Sequence, residues 1–232
     1  MMKKYALLLS LPAVLVLFIC SCGNSEMKSE NPFAKYFYPW DTVPKVYLYR
    51  DVAHGLDELF NRVYCVKDDQ GRHIVVETYS ADGRILEAMN YNTDSLDVMD
   101  HMVVDRNGRK NKAELFKYTF IPMDKNKETY FASRFPGFLD STLILKEVKK
   151  KYFKELNDYE VLGESRTALL TKDHIRMTNF NPFTKKESVL ESDAVYYYAE
   201  GYGLTEWHDE NKKVHYRLEK IMSQEEWIKI MR

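Results

Sequence analysis

Residues 73–92 read HIVVETYSADGRILEAMNYN, and this stretch decides the fold. From His73 to Ser80 the side chains alternate: Ile74, Val76 and Thr78 fall on one side, Val75 and Tyr79 on the other. That period of two marks a half-buried strand. Asp82-Gly83 then supplies a pair that tolerates positive φ, the requirement of a two-residue hairpin turn. Ile85 to Asn92 returns as the partner strand. The same grammar extends outward in both directions. Leu59 to Lys67 precedes the turn 68–72, and Lys45 to Arg50 is a strand entered through Pro44. Downstream, Met99 to Arg106 leads into the turn Asn107-Gly108, and Lys112 to Ile121 alternates until Pro122 stops it. Strands joined in sequence by short turns form an antiparallel meander.

The second half is less regular. Glu128 to Phe135 reads as a strand closed by Pro136-Gly137. Over 141–156, Ile144, Val148, Tyr152 and Leu156 recur every four residues, which suits a helix, yet the same residues also fit a strand face. We read a long edge strand, with Lys149-Lys150-Lys151 as a solvated, edge-protecting face. Short strands follow at 159–162, 167–171, 174–179, 188–191 and 194–200. Gly201-Tyr202-Gly203 marks a kink or bulge. Residues 204–208 and 213–221 make the last hairpin. Ser223 and Glu226 form a capping box that opens a terminal helix burying Trp227, Ile228 and Met231. The expectation is a mainly β fold: an antiparallel meander forming a curved sheet, half-barrel or open barrel, with a short C-terminal helix. A single β-rich globular domain spans 41–232.

Ahead of this domain lies a different kind of sequence. Lys3 and Lys4 precede an apolar run from Tyr5 to Ile19 that ends in Cys20-Ser21-Cys22. The run is short of the ~20 apolar residues of a spanning helix. Its order of basic, apolar and small residues is that of a signal peptide, here 1–21. Ser21 immediately before Cys22 suits a peptidase pocket that admits only small side chains, whereas Cys20 follows bulky Phe18 and Ile19. The reading is cleavage after Ser21 and lipidation of Cys22. Each buried acyl CH2 contributes ~0.8 kcal/mol, and stable anchoring needs more than one chain. Residues 22–40 then hold the lipidated cysteine, a polar tether from Gly23 to Glu30, and the aromatic run Asn31 to Trp40. That run is either a membrane-interface belt or a cap packed across the open end of the core, and we favour the cap.

Composition narrows the function classes. The formal net charge is −1, with 34 Lys and Arg against 35 Asp and Glu, which argues against a nucleic-acid partner. Of three cysteines, Cys20 leaves with the signal and Cys22 takes lipid, so Cys65 has no partner and no disulfide framework is expected. Cys65 sits in an apolar run and reads as a buried, inert thiol. The 17 Tyr and 12 Phe against only 9 Gly favour an ordered sheet.

The signal with its cysteine, the tether, and the run Tyr198-Ala199-Glu200-Gly201-Tyr202-Gly203-Leu204 resemble uncharacterised lipoproteins of the Bacteroidota. The resemblance covers the two ends of the chain and implies an envelope location and a curved sheet. It carries over no catalytic residue.

A search for chemistry finds little. His101 has Asp97, Asp100 and Asp105 nearby, and a structural or exposed histidine is the simpler reading. His208 and His215 face each other across the last hairpin, with Asp209 and Glu210 in the turn, and two imidazoles with a carboxylate can bind zinc. The usual ligand spacing is absent, so no metal site is assigned. Ser80, Ser95 and Ser133 lack a nucleophile-elbow context. The expectation is an envelope lipoprotein, lipid-anchored and most consistent with the outer membrane. It would act as a non-catalytic binding or scaffold module for a lipid, glycan or protein partner, with no cofactor. The alternative is a metal-assisted hydrolase using His208 and His215.

Overall fold

The computed structural model describes residues 31–122, 124–137 and 142–231. The signal segment, Cys22 and the tether lie outside them. Six strands come first: β1 (Lys45–Asp51), β2 (Glu58–Asp68), β3 (Gly71–Ser80), β4 (Ile85–Asn92), β5 (Val98–Val104) and β6 (Lys110–Lys112). Seven follow: β7 (Glu114–Tyr118), β8 (Glu128–Pro136), β9 (Leu143–Val161), β10 (Glu164–Asn181), β11 (Lys186–Ala199), β12 (Gly203–Asp209) and β13 (His215–Ser223). Among the described residues one α-helix, α1 (Gln224–Ile230), follows β13, and a 3-10 turn at Ala34–Tyr36 precedes β1.

All thirteen strands form one antiparallel sheet, ordered β6-β5-β4-β3-β2-β1-β13-β12-β11-β10-β9-β8-β7. It is two meanders joined through β1 and β13, with β6 and β7 as its two edges. The curved sheet forms an open barrel whose ladder does not close. Only Ala113 separates β6 from β7, so the chain itself steps across the gap between the edges. At that seam the Ala113 amide donates to the His101 carbonyl at 2.8 Å, and Asp97 bridges Thr119.

The first meander matches the alternation read from sequence, with one correction. The strand expected over 112–121 is broken at Ala113, because the chain changes edges there. The second half departs further. The short strands expected between 159 and 200 merge into β9, β10 and β11, of 19, 18 and 14 residues. Irregular register at two places in the β9–β10 pair hid their continuity from a strict period of two. Residues 143–161 are a strand, as read, but not an edge: β8 and β10 pair with β9 on either side. Nor is the lysine run solvated throughout, since Lys150 is buried.

The interior is filled by aromatic and aliphatic side chains. The N-terminal segment is part of this core: Phe33, Tyr36, Phe37 and Tyr38 are all buried. Phe33 stacks on Tyr152, with ring centroids 6.0 Å apart, and Phe37 meets Tyr91 edge-on at 5.0 Å. Full burial of such a side chain is worth about 1.5–3 kcal/mol. Gly201 and Gly203 form the turn between β11 and β12 rather than a bulge, each with φ +79°. A Cβ on Gly203 would lie 2.5 Å from Cδ1 of Tyr38, so glycine lets this turn close over the aromatic plug.

The Ser223–Glu226 capping box is present, each side chain accepting from the other residue's amide. The helix lays Trp227 on the opposite face of the sheet, against Val46, Leu48, Phe60 and Met222, with Met231 packed beside them. Ile228 stays on the surface, contrary to expectation, because a seven-residue helix offers the sheet only a narrow stripe. No helix among the described residues is long and apolar enough to cross a membrane.

Candidate functional site

A concavity of about 1150 Å³ lies on the outer wall, over β9, β10, β11 and β12. Alternation along β9 and β10 builds it. Lys149 and Lys151 point outward from β9, and Lys172 and His174 do so from β10. The register sets Lys151 directly opposite Lys172 and Lys149 opposite His174. A bulge then breaks the alternation. Thr171 pairs with Tyr152 and Leu170 with Lys154, which leaves Phe153 as the extra residue. Bulges re-aim side chains, and here the neighbours Phe153 and Lys154 both reach the groove. The Lys172 and Lys154 ammonium groups lie 4.3 and 5.5 Å from the Phe153 ring centre. Lys151 pairs with Glu128 at 2.9 Å, and His174 with Asp193 at 2.8 Å. Lys149, Lys154, Lys172 and Lys212 have no carboxylate partner among the described residues. Glu210, in the turn beside Lys212, is the unpaired acid of the rim.

Behind this wall the same strands carry a buried charge pair. Lys150 Nζ lies 2.6 Å from Asp173 Oδ2 and 3.0 Å from the Tyr198 hydroxyl, and both charged side chains are 1–2% exposed. Phe120 and Tyr196 present their rings to the ammonium, each 4.7 Å from it. Burial pushes the Asp173 carboxyl up, against the pull of Lys150. The ammonium donates to Asp173, Thr171 and the Tyr198 hydroxyl, and Thr171 donates to the other carboxylate oxygen, so the pair is satisfied inside the protein.

A third cluster sits at the seam. His101 Nδ1 is 3.0 Å from Ser133 Oγ, and its Nε2 is 3.3 Å from Glu87 Oε2. Lys146 approaches the same carboxylate oxygen at 3.5 Å. Lys146 first, then the His101 contact, outweigh burial and hold Glu87 at about 2. Hydroxyl, imidazole and carboxylate in a row have the order of a hydrolytic triad. Here, however, Ser133 and His101 are both 0% exposed, and Phe131 and Phe135 meet the imidazole edge-on. A substrate carbonyl cannot reach the hydroxyl. The cluster fastens β4 and β5 to β8 and β9 across the open ladder. Sequence reading missed this partnership, because 32 residues separate His101 from Ser133. Asp100 instead pairs with Lys112, and Asp105 accepts amides of its own turn.

The structure does bring His208 and His215 together: they are directly paired, with ring centroids 5.5 Å apart. One nitrogen of each is committed to another partner. His208 Nδ1 meets the Asp209 carbonyl oxygen at 2.8 Å, and His215 Nε2 meets Glu206 Oε1 at 2.8 Å. Burial raises Glu206, but hydrogen bonds from His215 and Arg217 prevail and hold it below its ordinary value. The turn acids do not aim at the imidazoles; Asp209 accepts the Val214 amide. Among the described residues, no group of three or more His, Cys, Asp or Glu is placed to hold a metal ion. Cys65 is buried and unpaired, and burial pushes its thiol up, as suits an inert packing residue.

No family model and no curated protein matches the chain. Two solved structures resemble it. One is described as a candidate lipoprotein from Parabacteroides distasonis. It has 13% identity and a TM-score of 0.45, over 81% of this chain and 98% of that one. The other is described as a candidate exported protein with a YmcC-like fold from Bacteroides fragilis. It has 14% identity and a TM-score of 0.42, over 81% and 99%.

Proposed function

We propose that this chain is a lipid-anchored protein of the cell envelope, held at the outer membrane through Cys22, whose β domain is a non-catalytic binding module. The groove on the outer wall carries the proposal. Of its five lysines only Lys151 has a carboxylate partner among the described residues, whereas the groupings of catalytic residue types are sealed or largely satisfied. Ser133 and His101 meet no solvent, Lys150 is used by Asp173, and the imidazoles of His208 and His215 are turned to protein partners. With the interior occupied by side chains, a partner is bound on the outside of the sheet.

The anchor is tested by growing cells on radiolabelled palmitate. Label is expected on the mature product and lost in Cys22→Ala; an unlabelled wild-type product would overturn the anchored reading. The non-catalytic reading is tested by metal analysis of the purified chain. Stoichiometric zinc that disappears in His208→Ala/His215→Ala would replace it with the metal-assisted hydrolase.

A further inference from the structure

We infer that the outer groove takes an acidic glycan, a sugar chain bearing carboxylate or phosphate groups; this rests on the reading of that groove as the binding face.

Three observations lead there. First, the groove keeps like charges together at a cost to the sheet. Lys151 stands directly opposite Lys172, with Lys149 and Lys154 close by on the same strand. Like charges at such positions destabilise a strand pair. Local rules broken in this way mark functional surface, because folding alone would remove them. Glu128 offsets only Lys151. Second, the β9 bulge inserts Phe153 among these ammonium groups and leaves the residue 45% exposed. A flat, accessible ring flanked by cations offers a stacking face for the C–H surface of a sugar, with ammonium donors beside it for the sugar's anionic groups. Third, the groove is large, about 1150 Å³, and is lined from Glu128 on β8 to Lys212 beyond β12. That volume and the spread of its lining over five strands and the β12–β13 turn give room for a chain rather than a single ion.

The test has two parts. In vitro, the purified full chain is titrated with oligogalacturonate, neutral dextran, polyglutamate and phosphatidylglycerol vesicles. Oligogalacturonate is expected to bind, more weakly as salt is raised, and dextran not to bind. Lys149→Gln/Lys154→Gln/Lys172→Gln should weaken oligogalacturonate by about tenfold, the order expected from three exposed charge contacts, with an unchanged circular-dichroism spectrum. Phe153→Leu should weaken oligogalacturonate but leave any polyglutamate binding unchanged. Equal binding by the triple variant, binding to vesicles alone, or polyglutamate preferred over oligogalacturonate would each overturn the glycan. In cells, a photo-crosslinking residue replaces Val195 on the groove wall. An adduct destroyed by periodate supports the inference. A protein adduct overturns the glycan but keeps the groove as the binding face, and no adduct overturns the groove itself.

Discussion

Lys149 and Lys150 are neighbours in sequence with opposite fates. Lys150 points into the barrel, 1% exposed, and is neutralised at 2.6 Å by Asp173. Lys149 points out, exposed, with no carboxylate among the described residues. Lys146, on the same strand, is intermediate: 23% exposed and shared with Glu87 at the seam. The inner face of β9 spends its charge on holding strands together, and the outer face leaves its charge available. A strand's alternation alone creates this division, and it separates the structural part of the molecule from the part proposed to bind.

The sharpest way to break the comparison is to remove the inner lysine. Lys150→Ala leaves the Asp173 carboxylate buried and unpaired, an expected loss of about 3–5 kcal/mol, read from urea denaturation. Replacing both partners, as Lys150→Met/Asp173→Leu, is expected to recover most of that loss, since an apolar pair needs no compensation. If Lys150→Ala costs no more than Lys149→Ala, inside and outside are not energetically distinct.

A smaller effect is expected at the seam, and it depends on pH. Glu87 is held at about 2 in the folded protein, below the ~4.3 of an unfolded glutamate. A depressed carboxylate contributes stability that is full above the unfolded value and is lost as pH falls through the folded one. Wild-type stability should therefore decline between about pH 4.3 and 2 in part through this group. Glu87→Gln should show a shallower decline over the same window when urea midpoints are compared. Identical slopes would mean that the seam carboxylate does not contribute.

The smallest effect belongs to the outer face. Lys149→Thr and Lys172→Thr should stay within about 0.5 kcal/mol of wild type in thermal melts. Lys172→Thr should fall on the stabilising side, because it removes a like charge opposite Lys151. A loss above about 1 kcal/mol would make these lysines part of the fold and weaken their assignment to a partner.

Much of this was legible in the chain. The hairpin signals at Asp82-Gly83 and Asn107-Gly108, both with positive φ at glycine, placed the first meander correctly. The aromatic run before Trp40 packs into the core, as its composition suggested. A usable signal for Lys150 existed as well: it shares its parity with Ile144, Val148 and Tyr152, the face that turns inward. Charge obscured it, because a lysine between two lysines reads as solvated unless its partner is known, and Asp173 lies 23 residues away. The Phe153 bulge and the His101–Ser133 contact left no local trace. Each depends on register between strands that the chain does not join directly or pairs irregularly.

By itself, the sequence determined the class of structure, the turns of the first meander, the capped final helix, and the expectation that Cys22 carries lipid. These follow from local rules: period, turn chemistry, capping, and the order of a signal segment. Only the tertiary structure decided which strands lie at the edges, that β9 is interior, that one lysine of three is buried, and that the others share a groove with Phe153. Those facts depend on strand order and register, which are set when distant segments compete to bury the same apolar surface.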